Sequence, residues 1–104
     1  MLNLFFLTAA IALSAYSQQN FEKATISTSG GNLEITFIGH GTLMFTYNGK
    51  VIHVDPYSKL ADYSSLPKAD IILITHHHGD HLDLGAVEKS RTENTAVIVN
   101  KIGS

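Results

Sequence analysis

The fold and chemistry of this chain are indicated most strongly by the stretch Ile71-Ile72-Leu73-Ile74-Thr75-His76-His77-His78-Gly79-Asp80-His81. Its apolar start shows no alternation of apolar and polar residues, which predicts a short strand buried on both faces of a sheet. Four of the six histidines in the chain follow directly, with one carboxylate among them. We therefore predict a cluster of polar ligands where a buried strand ends.

The spacing within this cluster constrains the backbone that carries it. In an α-helix, residues two positions apart point about 200° away from each other, whereas in extended backbone residues i, i+2 and i+4 point the same way. His76, His78 and Asp80 therefore converge only if the segment is extended or looped. Gly79 lets the backbone bend sharply, and His81 then points towards a second position nearby.

The available ligand atoms favour a small group of metals. The chain has no cysteine, so imidazole nitrogen and carboxylate oxygen remain, and these suit Zn²⁺, Mn²⁺ or Fe. Two adjacent ions would share a water whose pKa falls towards neutrality, which gives a metal-bound hydroxide and a Lewis acid for a carbonyl or phosphoryl oxygen. Such a site hydrolyses esters, amides or phosphodiesters. The alternative, a solvated histidine-rich loop, fits the context of strand, loop and helix poorly.

The pattern His76-x-His78-x-Asp80-His81 resembles the metal-binding motif of the metallo-β-lactamase superfamily. The resemblance implies that His76 and His78 bind a first metal and that Asp80 and His81 bind a second, with two Zn²⁺ expected in the complete domain. It also implies a catalytic role for Asp80, which takes a proton during turnover. His77 is the variable spacer of the motif and is not counted as a ligand.

Two upstream stretches, Gly39-His40-Gly41-Thr42 and Val54-Asp55-Pro56, are similar to a branch of this superfamily that includes ascorbate-6-phosphate lactonase. This branch resemblance places His40 near the mouth of a pocket, with a turn histidine bonded to its own backbone as the alternative. Asp55 is a candidate for accepting the free N–H of a ligand histidine and so orienting its ring, and the alternative is an aspartate that stabilises the Asp-Pro turn. His53 is interpreted as an ordinary sheet residue, and Tyr57 and Tyr63 are interpreted as packing residues rather than pocket residues.

The remaining patterns predict the α/β fold class, with a β-meander followed by a βαβ segment. Alternating runs separated by Ser29-Gly30-Gly31-Asn32, Gly39-His40-Gly41 and Asn48-Gly49 predict antiparallel strands, and Asn-Gly is the strongest short-range hairpin signal. Asp83 is a suitable N-cap for a helix that continues to about Arg91, and Thr95–Val99 predicts one more buried strand. No linker or repeat divides the chain, so residues 24–104 are expected to form one partial domain.

The family resemblance implies the N-terminal half of a four-layer αββα metallo-β-lactamase sandwich. The superfamily completes its site with a further histidine, a bridging aspartate and a final histidine from later loops, and no histidine follows His81 here. We therefore expect a fragment that lacks the C-terminal ligands, is weak or inactive alone, and is poorly soluble because apolar strands are left uncovered.

Residues 1–17 predict a cleavable signal peptide and hence export to the periplasm or the extracellular space. The apolar run is too short for a stable membrane span, and Ala15 and Ser17 place small side chains before a cleavage at Gln18. No lysine or arginine precedes the run, which departs from the usual pattern. The alternatives are an uncleaved anchor and a buried first helix.

Charge restricts the function classes further. The formal net charge is −2, with both signs interspersed, so nucleic acid is not an expected partner and a nuclease is disfavoured. The favoured hypothesis is a metal-dependent hydrolase that uses metal-bound hydroxide on a small-molecule ester, lactone or phosphodiester. The alternative is a non-catalytic metal-binding or interaction module that retains only the ligand loop. No sequence pattern specifies an oligomeric state.

Overall fold

The computed structural model of the chain describes residues 19–75 and 82–100. These residues form one mixed sheet of six strands in the order β1 to β6, with one helix. The strands are β1 (Glu22–Thr28), β2 (Gly31–Gly39), β3 (Thr42–Tyr47), β4 (Lys50–Val54), β5 (Ile71–Ile74) and β6 (Ala96–Val99), and the helix is α1 (Leu84–Ser90). The predicted signal peptide lies outside the described residues. Within the described ranges, no helix has the length and apolar character needed to cross a membrane.

The first four strands form the antiparallel meander that the alternating runs predict. Asn48 and Gly49 connect β3 to β4 with φ of 49° and 79°, as a type I′ turn requires. A bulge at Phe37/Gly39 and a left-handed His40 with φ of 51° mark the β2–β3 turn. The meander prediction is confirmed, β3 fills the interval between the two predicted turns, and β5 covers the predicted apolar run.

The last three strands run parallel, since β4 pairs with β5 and β5 pairs with β6 in parallel register. A segment that contains a 3-10 turn at Tyr63–Ser65 connects β4 to β5. The predicted βαβ segment is confirmed, with β5 followed by α1 and β6. Because parallel strands bring their carboxyl ends to one edge of the sheet, residues 55, 75 and 100 meet there.

One face of the sheet carries the core. Its central strands contribute Ile38, Met44, Val51, Ile72 and Ile74, all of them buried. The β4–β5 connection and α1 cover this face with Tyr63, Ala69, Ala86 and Val87. The core therefore lies between the sheet on one side and the β4–β5 connection and α1 on the other.

The opposite face is apolar but only partly covered in the described part of the chain. Rows of paired residues cross it, such as Ile35, Phe45, Ile52 and Ile71 on adjacent strands. Phe37 is 45% exposed and Ile98 is 54% exposed. The prediction that β5 is buried on both faces is wrong, because only Ile72 and Ile74 are buried. The prediction that β6 is buried is also wrong, because β6 is an edge strand and all four of its residues are exposed.

Candidate metal centre and adjoining cleft

The predicted ligands His76, His78, Asp80 and His81 lie outside the described residues, as does the spacer His77. The residues on both sides of this segment are described, and they show what holds its two ends. Thr75 follows β5 and directly precedes His76, while Leu82 and Asp83 follow His81 and lead into α1. Among residues 19–75 and 82–100, no three histidines or carboxylates cluster as a metal site would require.

The start of the segment is held by Asp55, which follows β4. Its Oδ1 accepts a hydrogen bond from the Thr75 backbone N–H at 2.7 Å, and its Oδ2 accepts one from the Thr75 hydroxyl. The Asp55 backbone N–H donates to the Leu73 carbonyl at 2.8 Å, and the Asp55 carbonyl accepts from Thr42 Oγ1 at 2.8 Å. Asp55 therefore ties the ends of two parallel strands together beside the predicted ligands. Its predicted role towards a ligand histidine concerns residues outside the described ranges.

Asn100 supports Thr75 from the other side. Its backbone N–H donates to the Ile74 carbonyl at 2.9 Å, and its Nδ2 donates to the Thr75 carbonyl at 3.2 Å. Sequence reasoning did not select Asn100 or Thr75, because neither belongs to the ligand pattern. Their shared position after adjacent parallel strands is the signal that could have found them.

The end of the segment is held by Asp83. Its Oδ1 accepts from the Ala86 N–H at 2.9 Å, so Asp83 is the N-cap of α1 as predicted. The same carboxylate accepts from the Ser58 N–H at 2.8 Å and from Ser58 Oγ at 3.0 Å. Partial burial raises the pKa of the Asp83 carboxyl, but the hydrogen bonds from Ser58, Ala86 and Gly85 outweigh it and hold that pKa below its ordinary value.

A cleft of about 260 Å³ lies beside both ends of the segment. It is lined by Gly41, Thr42, Asp55, Pro56, Tyr57, Ile74, Leu82 and Asp83. Tyr57 lines the cleft and is 40% exposed, so it is not a core residue, and its position agrees with the alternative of a pocket residue. Tyr63 is 1% exposed and packs in the core as interpreted.

His40 lies in the turn beside Gly41, which lines the cleft, and His40 itself is exposed. Its left-handed backbone is flanked by two glycines. No hydrogen bond of the His40 side chain is present in the described part of the chain, which includes its own turn. A position at the mouth of the pocket stays a prediction for His40.

His53 lies beneath this end of the sheet and is fully buried. Its Nε2 is 2.9 Å from the Pro67 carbonyl, and because a carbonyl only accepts, Nε2 carries the proton. Nδ1 is buried without a hydrogen-bond partner among the described residues, and the ring packs edge-on against Tyr63 at 5.4 Å. Burial lowers the pKa of His53, although the Pro67 carbonyl opposes that shift. His53 is therefore a neutral core residue.

The donor set of the segment fits a divalent metal by its chemistry. Three imidazoles at positions 76, 78 and 81 and one carboxylate at position 80 supply nitrogen and oxygen ligands, and no thiolate is present in the chain. Asp55 and Asp83 hold the residues that border this set, which suits a site that needs its ligands placed before the ion binds.

Comparison with known proteins gives a consistent result. A family model described as a beta-lactamase superfamily domain matches residues 34–103. A UPF0173 metal-dependent hydrolase of Flavobacterium johnsoniae is 43% identical over 75 residues, which cover 65% of this chain and 32% of the relative. A UPF0173 metal-dependent hydrolase of a Geobacillus species is 36% identical over 74 residues, covering 64% of this chain and 30% of the relative.

The structural comparison agrees with the sequence comparison. The crystal structure of a protein from Parabacteroides distasonis, assigned as a metal-dependent hydrolase, superposes with a TM-score of 0.74 and 51% sequence identity. The match covers 79% of this chain and 38% of that protein. The chain thus spans about a third of the length of the relatives that it matches.

Proposed function

The chain belongs to the metallo-β-lactamase superfamily, and on that premise we propose that it is part of a metal-dependent hydrolase. The observation that carries this proposal is the position of the histidine segment. The described residues on its two sides, Ile74 before it and Leu82 after it, both line the same cleft, next to the carboxyl ends of three parallel strands. Ligands in open α/β sheets bind at this edge.

The residue roles follow the motif. His76 and His78 would hold one ion, and Asp80 and His81 would hold the other. Two divalent ions, with Zn²⁺ the expected pair, would supply a Lewis acid for the substrate oxygen and would lower the pKa of a water. Asp80 accepts a proton at its carboxylate, and Asp55 keeps Thr75 and therefore the start of the ligand segment in place.

We propose a small neutral ester or lactone as the substrate. The cleft is lined by apolar side chains of Pro56, Tyr57 and Leu82, which suit the organic part of such a molecule. Its described lining residues include two aspartates and no lysine or arginine. The described lining offers no lysine or arginine to bind the phosphate group of a phosphodiester, so we place phosphodiesters and nucleic acid second.

The rest of the proposed protein would complete the site and cover the open face. The apolar rows through Phe45 and Leu73 suit a second sheet packed face to face, as in a four-layer αββα sandwich. The further ligands would come from that part. We also propose that residues 1–17 direct the protein out of the cytoplasm, with cleavage before Gln18.

Metal analysis tests whether the assigned ligands bind metal. Elemental analysis and zinc titration of the whole protein should show bound metal that His76→Ala and Asp80→Ala each remove. His77→Ala is the matched control, because it removes an imidazole from the spacer position of the same segment, and it should retain the metal. Loss of metal in the control, or retention in the first two variants, would contradict the assigned ligands.

Activity then separates the hydrolase from a non-catalytic metal-binding module. The metal-loaded protein should hydrolyse p-nitrophenyl acetate and a simple γ-lactone, with less activity on bis-p-nitrophenyl phosphate. A protein that binds metal through these ligands and cleaves none of the three would favour the non-catalytic module. Preference for the phosphodiester would overturn the substrate class and leave the metal site in place.

A further inference from the structure

The loop Asp55-Pro56-Tyr57-Ser58 contacts both ends of the histidine segment through its first and last residues. Asp55 accepts two hydrogen bonds from Thr75, directly before the segment. Ser58 donates two hydrogen bonds to Asp83, which lies two residues after the end of the histidine segment. The four residues of this loop, which we call the clamp loop, therefore hold the two flanks of the ligand segment at the same time.

The clamp loop limits how far apart those flanks can lie. Its first and last Cα atoms are separated by three residue steps, which span about 11 Å at most when fully extended. The eight steps from Thr75 to Asp83 could span about 27 Å along a free chain. The hydrogen bonds to Asp55 and Ser58 thus attach both ends to one short loop, although the segment is long enough to let them lie farther apart.

The clamp loop is itself fixed by parts of the fold that do not belong to the segment. The Asp55 carbonyl accepts from Thr42 Oγ1, and the Tyr57 N–H donates to the buried Tyr63 hydroxyl at 3.2 Å. Pro56 between them is buried. The core thus supports the loop through contacts that are separate from its hydrogen bonds to the two flanks.

We infer that Ser58 and Asp83 are positioning residues that hold the end of the ligand segment at a set distance from its start, so that the two halves of the metal site are placed before metal binds. This inference rests on the proposed metal site. Because the flanks are already restrained, fewer residues have to be ordered when metal binds, and binding therefore loses less conformational entropy. Because Asp83 is two residues from His81, its contribution falls mainly on the second metal.

The variant Asp83→Ser isolates this role. Serine is a good N-cap, so α1 keeps its cap, but the shorter side chain cannot also accept the two hydrogen bonds from Ser58. In the whole protein, titration with Zn²⁺ should show one of two affinities reduced by about tenfold, the lower end of the range for residues that support metal ligands. Ser58→Thr keeps both donors and should retain the parent affinity.

A second aspartate provides the matched control. Asp62 caps the 3-10 turn, accepts from the Ser64 N–H at 3.1 Å, and accepts from the hydroxyls of Ser64 and Ser65. Asp62→Ser removes a similar carboxylate and serine network without touching the ligand segment. Its zinc affinities should equal those of the parent, whatever it does to the melting temperature.

Amide hydrogen exchange of the metal-free protein gives a readout that needs no ion. Asp83→Ser should speed exchange at the Ser58 amide and in a peptide spanning residues 75–82, whereas Asp62→Ser should leave that peptide unchanged. The inference is overturned if Asp83→Ser changes neither zinc affinity nor exchange, or if Asp62→Ser changes both equally. If the parent binds no zinc while Asp83→Ser still speeds exchange, the proposed metal site is wrong, but the restraint of the segment by Ser58 and Asp83 is supported.

Discussion

The carboxylate of Asp55 bonds to both the backbone N–H and the hydroxyl of Thr75, so one side chain joins the carboxyl ends of two parallel strands. Asp55 has a left-handed backbone with φ of 48°, a conformation that aspartate and asparagine adopt more readily than most residues. This backbone turns the chain out of β4 into the clamp loop. The same residue therefore ends one strand and holds the end of the next.

Asp55→Asn tests the contribution of this carboxylate while preserving the left-handed backbone. The amide oxygen can accept from the Thr75 backbone N–H and the NH₂ group can donate to the Thr75 hydroxyl, but both hydrogen bonds lose the charge of the carboxylate. We expect a loss of about 1–3 kcal/mol in the free energy of unfolding, together with weaker zinc binding. Urea unfolding and zinc titration measure the two effects. Thr75→Val removes the hydroxyl bond to Asp55 but keeps the bond from the backbone N–H, so it should reduce the free energy of unfolding less than Asp55→Asn does. An equal or larger reduction would contradict the importance that we assign to the backbone N–H bond.

The buried His53 predicts a stability that depends on pH. Its pKa is lowered in the fold because burial disfavours the imidazolium, so the unfolded chain binds a proton more readily than the folded chain does. Stability is therefore full above the ordinary histidine pKa of about 6.5 and is lost as the pH falls towards the lowered pKa. Thermal melts between pH 7.5 and pH 5 should show this decline.

His53→Leu identifies the residue responsible for that decline. Leucine fills a similar volume and cannot be protonated, although it leaves the Pro67 carbonyl without its donor. We expect this variant to be less stable at pH 7.5 and to lose less stability between pH 7.5 and pH 5 than the parent does. His40→Leu removes an exposed histidine and is the control. A parent-like pH dependence in His53→Leu would assign the effect to other groups.

Because one face of the sheet is exposed and the other is buried, similar substitutions on the two faces should affect different properties. Ile98 is 54% exposed on the open face, whereas Ile72 on the neighbouring strand is fully buried. In the 104-residue chain, Ile98→Thr should reduce self-association in light scattering with little change in stability. Ile72→Thr should destabilise by about 2–4 kcal/mol, because it removes buried apolar volume and buries a hydroxyl. Equal effects of the two substitutions would show that the open face is covered in solution.

Much of this fold could be predicted from the sequence, because the relevant signals are local. The Asn48-Gly49 turn and the N-cap at Asp83 each depend on residues a few positions apart, and both are confirmed. The exposure of β6 was not predicted. The composition of an apolar strand shows that it can be buried, but the elements that would cover it are elsewhere in the fold.

The candidate site also combines a local sequence pattern with contacts between residues that are distant in the chain. The ligand pattern from His76 to His81 is contiguous, so the sequence alone predicted it, and it stays a prediction. The contacts that support it join Asp55 to Thr75 and Ser58 to Asp83, which are 20 and 25 residues apart in the chain. Such pairs depend on the parallel pairing of β4 and β5 and on the position of α1, and no local pattern specifies either.

Tyr57→Ala tests which surface of the cleft meets the substrate. The Tyr57 N–H, which bonds to Tyr63, is a backbone group and survives the substitution, so the clamp loop should keep its position. Loss of the exposed ring should cost about 1–1.5 kcal/mol of contact with an aromatic group, which corresponds to a roughly tenfold rise in KM for an aryl ester with little change in kcat. Steady-state kinetics of the metal-loaded protein measure both constants.

Two further variants define what that result would mean. Tyr57→Phe keeps the ring and should retain the parent KM, while Tyr63→Phe removes the buried hydroxyl that accepts from the Tyr57 N–H. Tyr63→Phe should therefore lower the melting temperature more than it changes KM. If Tyr57→Ala lowers kcat and leaves KM unchanged, the ring acts on the reacting groups instead of on substrate binding. An aliphatic ester should lose less than an aryl ester in Tyr57→Ala, because only the aryl group can stack on the ring.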